Sequence, residues 1–302
     1  MAQKLHIAVG LGEVLWDLLP AGKQLGGAPA NFAYISNLVG ETGIVASSVG
    51  ADWRGEELRN RLAELKLDAS YIQRDAIHPT GVVTVHLNQE GQPTYDIAEN
   101  VAWDFLKWTP EWQRLAAQAD VICFGSLAQR SAVSRATIRA FLAASRPDAI
   151  RIFDANLRQE FFSAEVLAES LHLANVAKIN VEELPIIMHQ LGLGQHNEEK
   201  ASAERLRRVF GLRLVCVTRG SKGSLLLREN EIDEHPGFAV HVVDSVGAGD
   251  AFTAALAHHL LRRSSLRVAN EAANRMGAWV ASQAGATPAP EPEVIRTVRG
   301  ER

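Results

Sequence analysis

Short apolar runs alternate with longer amphipathic stretches along most of the 302 residues. The runs at 7–10, 42–49, 121–124, 150–154, 176–180, 214–218 and 224–227 are rich in Val, Ile and Leu and read as strands. Helical spacing of apolar positions predicts helices at 31–38, 56–65, 112–119, 132–144, 164–174, 201–210, 251–261 and 268–284. Apolar strands separated by helices predict an α/β fold: a mostly parallel sheet with helices on both faces. Residues 81–104 break the rhythm. Positions 82–87 alternate, turn residues follow at 88–93, and 94–98 resume an extended pattern. This predicts a β-hairpin flap outside the main sheet, although a plain surface hairpin leaves the same pattern. No internal repeat is visible, and residues 286–292 read as a tail.

Composition narrows the function only by exclusion. A net charge of −4 gives no reason to expect nucleic-acid or membrane partners. Cys123 and Cys216 both lie in apolar strand-like runs and read as buried thiols. The first residues lack the apolar core of a signal peptide, and no apolar run approaches the length of a membrane span. The expected setting is a reducing cytoplasm.

The chemistry concentrates in Asp244-Ser-Val-Gly-Ala-Gly-Asp250-Ala-Phe252. Two glycines alternate with small residues at the mouth of an alanine-rich helix. Such a backbone can aim successive N–H groups at one anion, and the helix N-terminus adds its own partial charge. Asp250 is out of place there, because a carboxylate repels the anion its neighbours would hold. It makes sense as a base that takes a proton from a hydroxyl attacking a phosphoryl group, which implies a phosphotransferase. No Walker-type loop and no three-glycine dinucleotide fingerprint occurs.

Other candidates follow the ends of predicted strands, where ligands sit in open α/β sheets. Asn156 and Arg158 can reach phosphate oxygens. Asn180 can donate to phosphate, and Glu183 can help hold Mg²⁺ through water. Thr218, Gly220 and Gly223 would let backbone approach a ribose or phosphate. Each one alone is weak, since polar residues after strands are usually caps and turns; their succession is what points to a nucleotide. Near the N-terminus, Gly26 and Gly27 lead through Asn31 into a helix. Asn31 reads either as a helix cap or as a grip on a polyol hydroxyl. Asp17 reads as a solvated loop acid or as an acceptor for two sugar hydroxyls. His258 and His259 are adjacent on a helix and point to different faces, so no structural metal is expected.

These motifs together resemble the ribokinase-like, or PfkB, carbohydrate kinases. Gly26-Gly-Ala-Pro-Ala-Asn31 is similar to the family's N-terminal signature and 244–252 to its C-terminal one. Gly12-Glu13…Asp17, Gly50-Ala-Asp52-Trp-Arg-Gly55, Asp154-Ala-Asn-Leu-Arg158 and Lys178-Ile-Asn180…Glu183 fall in the family's order. The resemblance spans essentially the whole chain. It implies a single three-layer α/β domain over 1–302, with a small β-sheet lid from about 12–25 and 81–104. It implies ATP as donor, with Mg²⁺. By similarity Asp250 is the catalytic base and Gly247, Ala248 and Gly249 form the anion hole. Asn180, Thr218, Gly220, Gly223 and Asn274 would line the ATP site, and Asp17, Gly27 and Asn31 would hold the sugar. Asp244 and the Val246 carbonyl are the candidate K⁺ ligands. Ser245 stands where relatives commonly have Thr, and a hydroxyl is kept.

Residues 81–104 contain no Lys or Arg but four acids, Glu90, Asp96, Glu99 and Asp104. A lid receiving a sugar phosphate should supply cations, so a neutral sugar is expected unless a distant group such as Arg130 reaches in. The opening most resembles the fructokinase branch, which implies fructose to fructose 6-phosphate. Ribose, 2-keto-3-deoxygluconate and a nucleoside are the alternatives, and a non-catalytic sugar-binding regulator the remote one. The apolar face of 82–87 suggests a homodimer paired edge to edge through the lid.

Overall fold

The computed structural model describes residues 5–19, 22–87, 93–194 and 198–301. The central sheet runs β13-β12-β11-β10-β9-β8-β1-β4-β5. Its members are β1 (Ile7–Leu11), β4 (Thr42–Gly50), β5 (Ile72–Asp75), β8 (Val121–Phe124), β9 (Ile150–Asp154), β10 (Val176–Asn180), β11 (Leu214–Thr218), β12 (Ser224–Leu227) and β13 (Ile232–His235). All neighbours are parallel except β11–β12 and β12–β13. Every strand expected for this sheet is present, and β5 and β13 are additions at its two edges.

Alternation along the strands builds two cores. Val9, Leu11, Ile122, Phe124, Phe153, Val215 and Val217 face one side, where they meet α3 (Pro110–Gln118), α4 (Ala132–Ala143), α5 (Ala164–Leu173), α6 (Glu183–Gln190) and α7 (Glu199–Phe210). Ala8, Val121, Cys123, Ile152, Leu214 and Cys216 face the other. There they meet α1 (Ala28–Leu38), α2 (Trp53–Glu64), α8 (Ala248–Leu261), α9 (Leu266–Ala281) and α10 (Pro292–Arg299). Both cysteines are buried, as expected. Among the described residues no helix is long and apolar enough to cross a membrane. The expected tail, 286–292, leads into α10, which begins on Pro292, a residue suited to a first helical turn.

A second sheet, in the order β3-β2-β6-β7, combines β2 (Leu15–Leu19), β3 (Gly22–Gly26), β6 (Gly81–Leu87) and β7 (Pro93–Ile97). The expected hairpin is β6–β7, and residues 88–92 of its turn lie outside the described residues. β6 is not an edge: β2 pairs it in parallel over Gly81–Thr84, and β7 covers its other side. Edge-to-edge pairing of two molecules through β6 is therefore corrected, because the free edges belong to β3 and β7. Asp52 ties the two sheets together. Its carboxylate caps α2 at Gly55 N (2.8 Å) and accepts from Thr80 N (2.8 Å) and Thr80 Oγ1 (2.7 Å), just before β6.

The strand order reverses at β1, which lies between β8 and β4. A crevice opens at such a switch point, beyond the carboxyl ends of the strands. Gly12-Glu13, the loop after Asp154, and Asn180 and Thr218 all stand at those ends.

Candidate active site

The 244–252 motif turns into α8 at Gly247, in left-handed conformation (φ 76°). A Cβ there would come within 2.3 Å of Ala286 Cβ, so conformation and space both require glycine. Ala248 and Gly249 open the helix, whose first-turn N–H groups have no intrahelical acceptor. The Ala248 amide makes only a long 3.3 Å bond to Ser245 O. Asp250 follows in that first turn.

Asp250 Oδ2 accepts from Asn31 Nδ2 at 2.8 Å, which joins the two signature motifs across 219 residues. α1 starts at Ala28 with Gly27 as its cap, so Asn31 lies inside the helix and the capping alternative is excluded. Gly27 (φ 106°) sits against the Glu13 carbonyl, where a Cβ would come within 2.6 Å. Gly26 similarly leaves room for the Asp17 carboxyl. Desolvation raises Asp250 from 3.8 to about 6; Asp154 adds to the rise, and Asn31, Lys178 and Arg158 oppose it. Asp17 is likewise raised by burial to about 6, against Arg158 and with Asp244. Arg158 thus acts electrostatically on Asp17, Asp250 and Glu13 together. Its own side chain is exposed and makes no hydrogen bond or ion pair among the described residues.

Beneath Asp250 lies a buried network that sequence reading missed. Lys178 Nζ pairs with Asp154 Oδ1 at 3.0 Å, both side chains being at most 9% exposed. Thr253 Oγ1 donates to Asp154 Oδ2 (2.9 Å). The Lys178 ammonium lies directly under Gly249, 3.0 Å from where a Cβ would stand. Burial works against its charge, but Asp154, Glu183 and Asp250 outweigh that and raise it above the usual lysine range. The available signal was a lone lysine inside the otherwise apolar strand β10.

On the nucleotide side the expectations divide. Asn156 takes a left-handed conformation (φ 40°) in the loop carrying Arg158. Gly220 (φ 59°) is open, with no atom within 4 Å of a Cβ position, and Thr218 is half-buried at the end of β11. Asn274 is buried on α9, its Nδ2 engaged by Ser224 Oγ (2.7 Å) and Asn270 O (2.8 Å). Gly223 is enclosed. It is buried against His235 and Gly237 backbone, so its missing Cβ serves packing within the chain.

Glu183 has local partners. Its Oε1 accepts from Leu157 N (2.8 Å) and its Oε2 from Asn180 N (2.9 Å), while Asn180 Oδ1 accepts from Glu183 N (2.8 Å). That reciprocal pair stands at the start of α6, and the buried carboxylate holds the 154–158 loop. Asp244 receives Val246 N (3.0 Å) and Gly285 N (3.2 Å), which fixes the turn ahead of α8. Among the described residues no cluster of three His, Cys, Asp or Glu could hold a metal. His258 instead meets Glu41 (2.6 Å), and His259 meets Val298 O (2.7 Å) and Ser264 (2.9 Å).

A doubly covered parallel sheet, a glycine-opened helix with an acid in its first turn, and a small second sheet define a class of phosphoryl-transfer enzymes. The comparisons agree. The model of the pfkB family carbohydrate kinases matches residues 21–293. Fructokinase of Escherichia coli is 31% identical over 261 residues, covering 82% of this chain and 81% of that protein. A sugar kinase of Pyrococcus horikoshii superposes with a TM-score of 0.81 at 25% identity, covering 98% of this chain and all of that one. Fructokinase of Vibrio cholerae O395, solved with fructose, ADP and calcium, gives 0.79 at 25% identity and covers 97% and 98%. The chain belongs to the pfkB family of carbohydrate kinases.

Proposed function

We propose that this carbohydrate kinase transfers the γ-phosphoryl group of ATP to the primary hydroxyl of fructose, giving fructose 6-phosphate and ADP. One observation carries the reading: Asp250, a desolvated carboxylate in the first turn of α8, is held by Asn31 between the two glycine motifs. The ionised Asp250 accepts the hydroxyl proton as the sugar oxygen bonds to the γ-phosphorus. The bond from that phosphorus to the β-bridging oxygen breaks, and the electron pair leaves on ADP. The amides of Gly247, Ala248 and Gly249, with the unpaired Arg158, face the charge that develops on the transferring group. Lys178 holds positive potential under the same turn. Asp17, Gly26, Gly27 and Asn31 line the sugar side, while Asn156, Asn180, Thr218, Gly220 and Asn274 line the nucleotide side.

Mg²⁺ would neutralise the triphosphate and take most of its ligands from phosphate and water. The Asp244–Val246 turn is the candidate K⁺ position. The small sheet, built from the expected 12–25 and 81–104 segments of one domain, serves as a lid that excludes water.

A neutral sugar is favoured because two cations at the lid, Arg130 and Lys23, are occupied. Arg130 is clamped on Asp104 by Nε (2.8 Å) and Nη2 (2.8 Å) and stacks on Trp103 and Phe161. Lys23 pairs with Glu57 and lies over Trp16 and Trp53. The E. coli and V. cholerae relatives are named fructokinases. One observation favours a second reading: the free Arg158 suits a carboxylate, as on 2-keto-3-deoxygluconate. The test is ADP release with Mg-ATP across fructose, ribose, 2-keto-3-deoxygluconate, adenosine and fructose 6-phosphate. Fructose should give the highest kcat/KM. A higher value for the keto acid would transfer Arg158 to substrate recognition and overturn the fructose reading.

A further inference from the structure

Glu13 is the acid of the cleft that the reaction just described leaves unused. It follows β1, is 3% exposed, and its Oε2 has no hydrogen-bond partner among the described residues. A buried carboxylate oxygen without a donor is costly and calls for an explanation. A second unpaired acceptor stands on α1: Asn31 Oδ1 is also buried and without a partner among the described residues. The Nδ2 of that same amide is the donor to Asp250.

Both groups belong to one corner of the fold. Gly27 packs on the Glu13 carbonyl, and the backbone amides of Glu13 and Ala28 favour the ionised form of the Glu13 carboxyl. Asn31 follows Ala28 by three residues, on the same face of α1. Two acceptors cannot satisfy each other, but a proton on the carboxyl converts the pair into a donor and an acceptor.

We propose that Glu13 is a positioning residue that works in its protonated form. Its Oε2–H donates to Asn31 Oδ1, which fixes the amide so that Nδ2 points at Asp250. The inference rests on Asp250 being the base. Glu13 is flanked by Asp250 from α8, Arg158 from the loop after β9, and the Cys123 thiol from β8. The thiol stays neutral, because burial pushes it well above its usual value. Burial is also the main influence on Glu13 and raises it from 4.5 to about 7; Asp250 adds to the rise, while Arg158 and the two amides oppose it. A bound triphosphate adds negative charge and moves the transition higher still. Once Glu13 ionises, that donor is lost, the amide turns, and the hold on Asp250 loosens.

The experiment compares Glu13→Gln and Glu13→Ala with wild type in kcat, KM and thermal unfolding between about pH 6 and pH 9, bracketing the Glu13 transition near 7. Gln keeps a donor at every pH. E13A should lose roughly 10- to 100-fold in kcat, the scale for partners that orient a reacting group, with KM changed less. E13Q should restore most of that loss and lack the alkaline decline of wild type. Because the folded Glu13 is raised, its stabilising contribution is present at low pH and fades as pH climbs through about 7. The melting temperature of E13Q relative to wild type should therefore rise across that window. An alkaline decline in E13Q matching wild type, or equal loss in E13Q and E13A, overturns the proposal. The unfolding comparison reads the Glu13 proton even if Asp250 is not the base, so the two failures are distinguishable.

Discussion

At the scale of single residues, the cleft sets turnover against stability. Asp250 must be ionised to accept a proton, yet burial and the nearby Asp154 raise it to about 6. Turnover should fall as pH drops below about 6, and the acid limb of a kcat profile reads this directly. The stability effect has the opposite sign. A raised carboxyl stabilises the fold while protonated, so the contributions of Asp17 and Asp250 fade as pH rises through about 6. A kcat that holds level well below that pH would show that a different group is the base. Residue identity singled out Asp250, Asn31 and Asp17, and the structure brings Asn31 to Asp250. The local bonds of Glu183 were not legible. An acid near a phosphate motif suggests an ion, and spacing alone does not show that its two oxygens also accept from backbone amides.

At the scale of elements, the chain declared its buried strands and long helices almost in full. Strands covered on both faces carry an unbroken apolar code, which few other structures would produce. The edge strands β5 (Ile-Gln-Arg-Asp) and β13 (Ile-Asp-Glu-His) carry polar side chains and were not legible. Helix α6 hid behind Pro185, which its first turn tolerates. The start of α8 depends on one backbone position. Gly247→Ala forces a left-handed alanine into Ala286, at a cost of about 1–3 kcal/mol. Displacing the helix N-terminus from the phosphoryl group should also slow turnover on the order of 10²-fold. Urea unfolding and steady-state kinetics on the same preparation check both. An alanine variant that is stable and fast would remove Gly247 from the anion-binding turn.

At the scale of the whole molecule, the sequence pattern implied the layers but not the order of the strands. Which strand neighbours which is decided by packing between distant segments, and the reversal at β1 is what opens the cleft. The same holds for the small sheet, whose β2–β6 pairing joins segments more than sixty residues apart and takes β6 out of any edge contact. The central claim concerns what this arrangement delivers: an aspartate at the head of α8, brought to Asn31 to deprotonate a sugar. Asp250→Asn tests it most directly, measured by ADP release with fructose and Mg-ATP beside thermal unfolding with and without the ligands. The variant should fold, still be stabilised by ligand, and lose roughly 10²-fold or more in kcat, the scale of a lost general base. A folded variant that turns over within a few-fold of wild type would contradict the account.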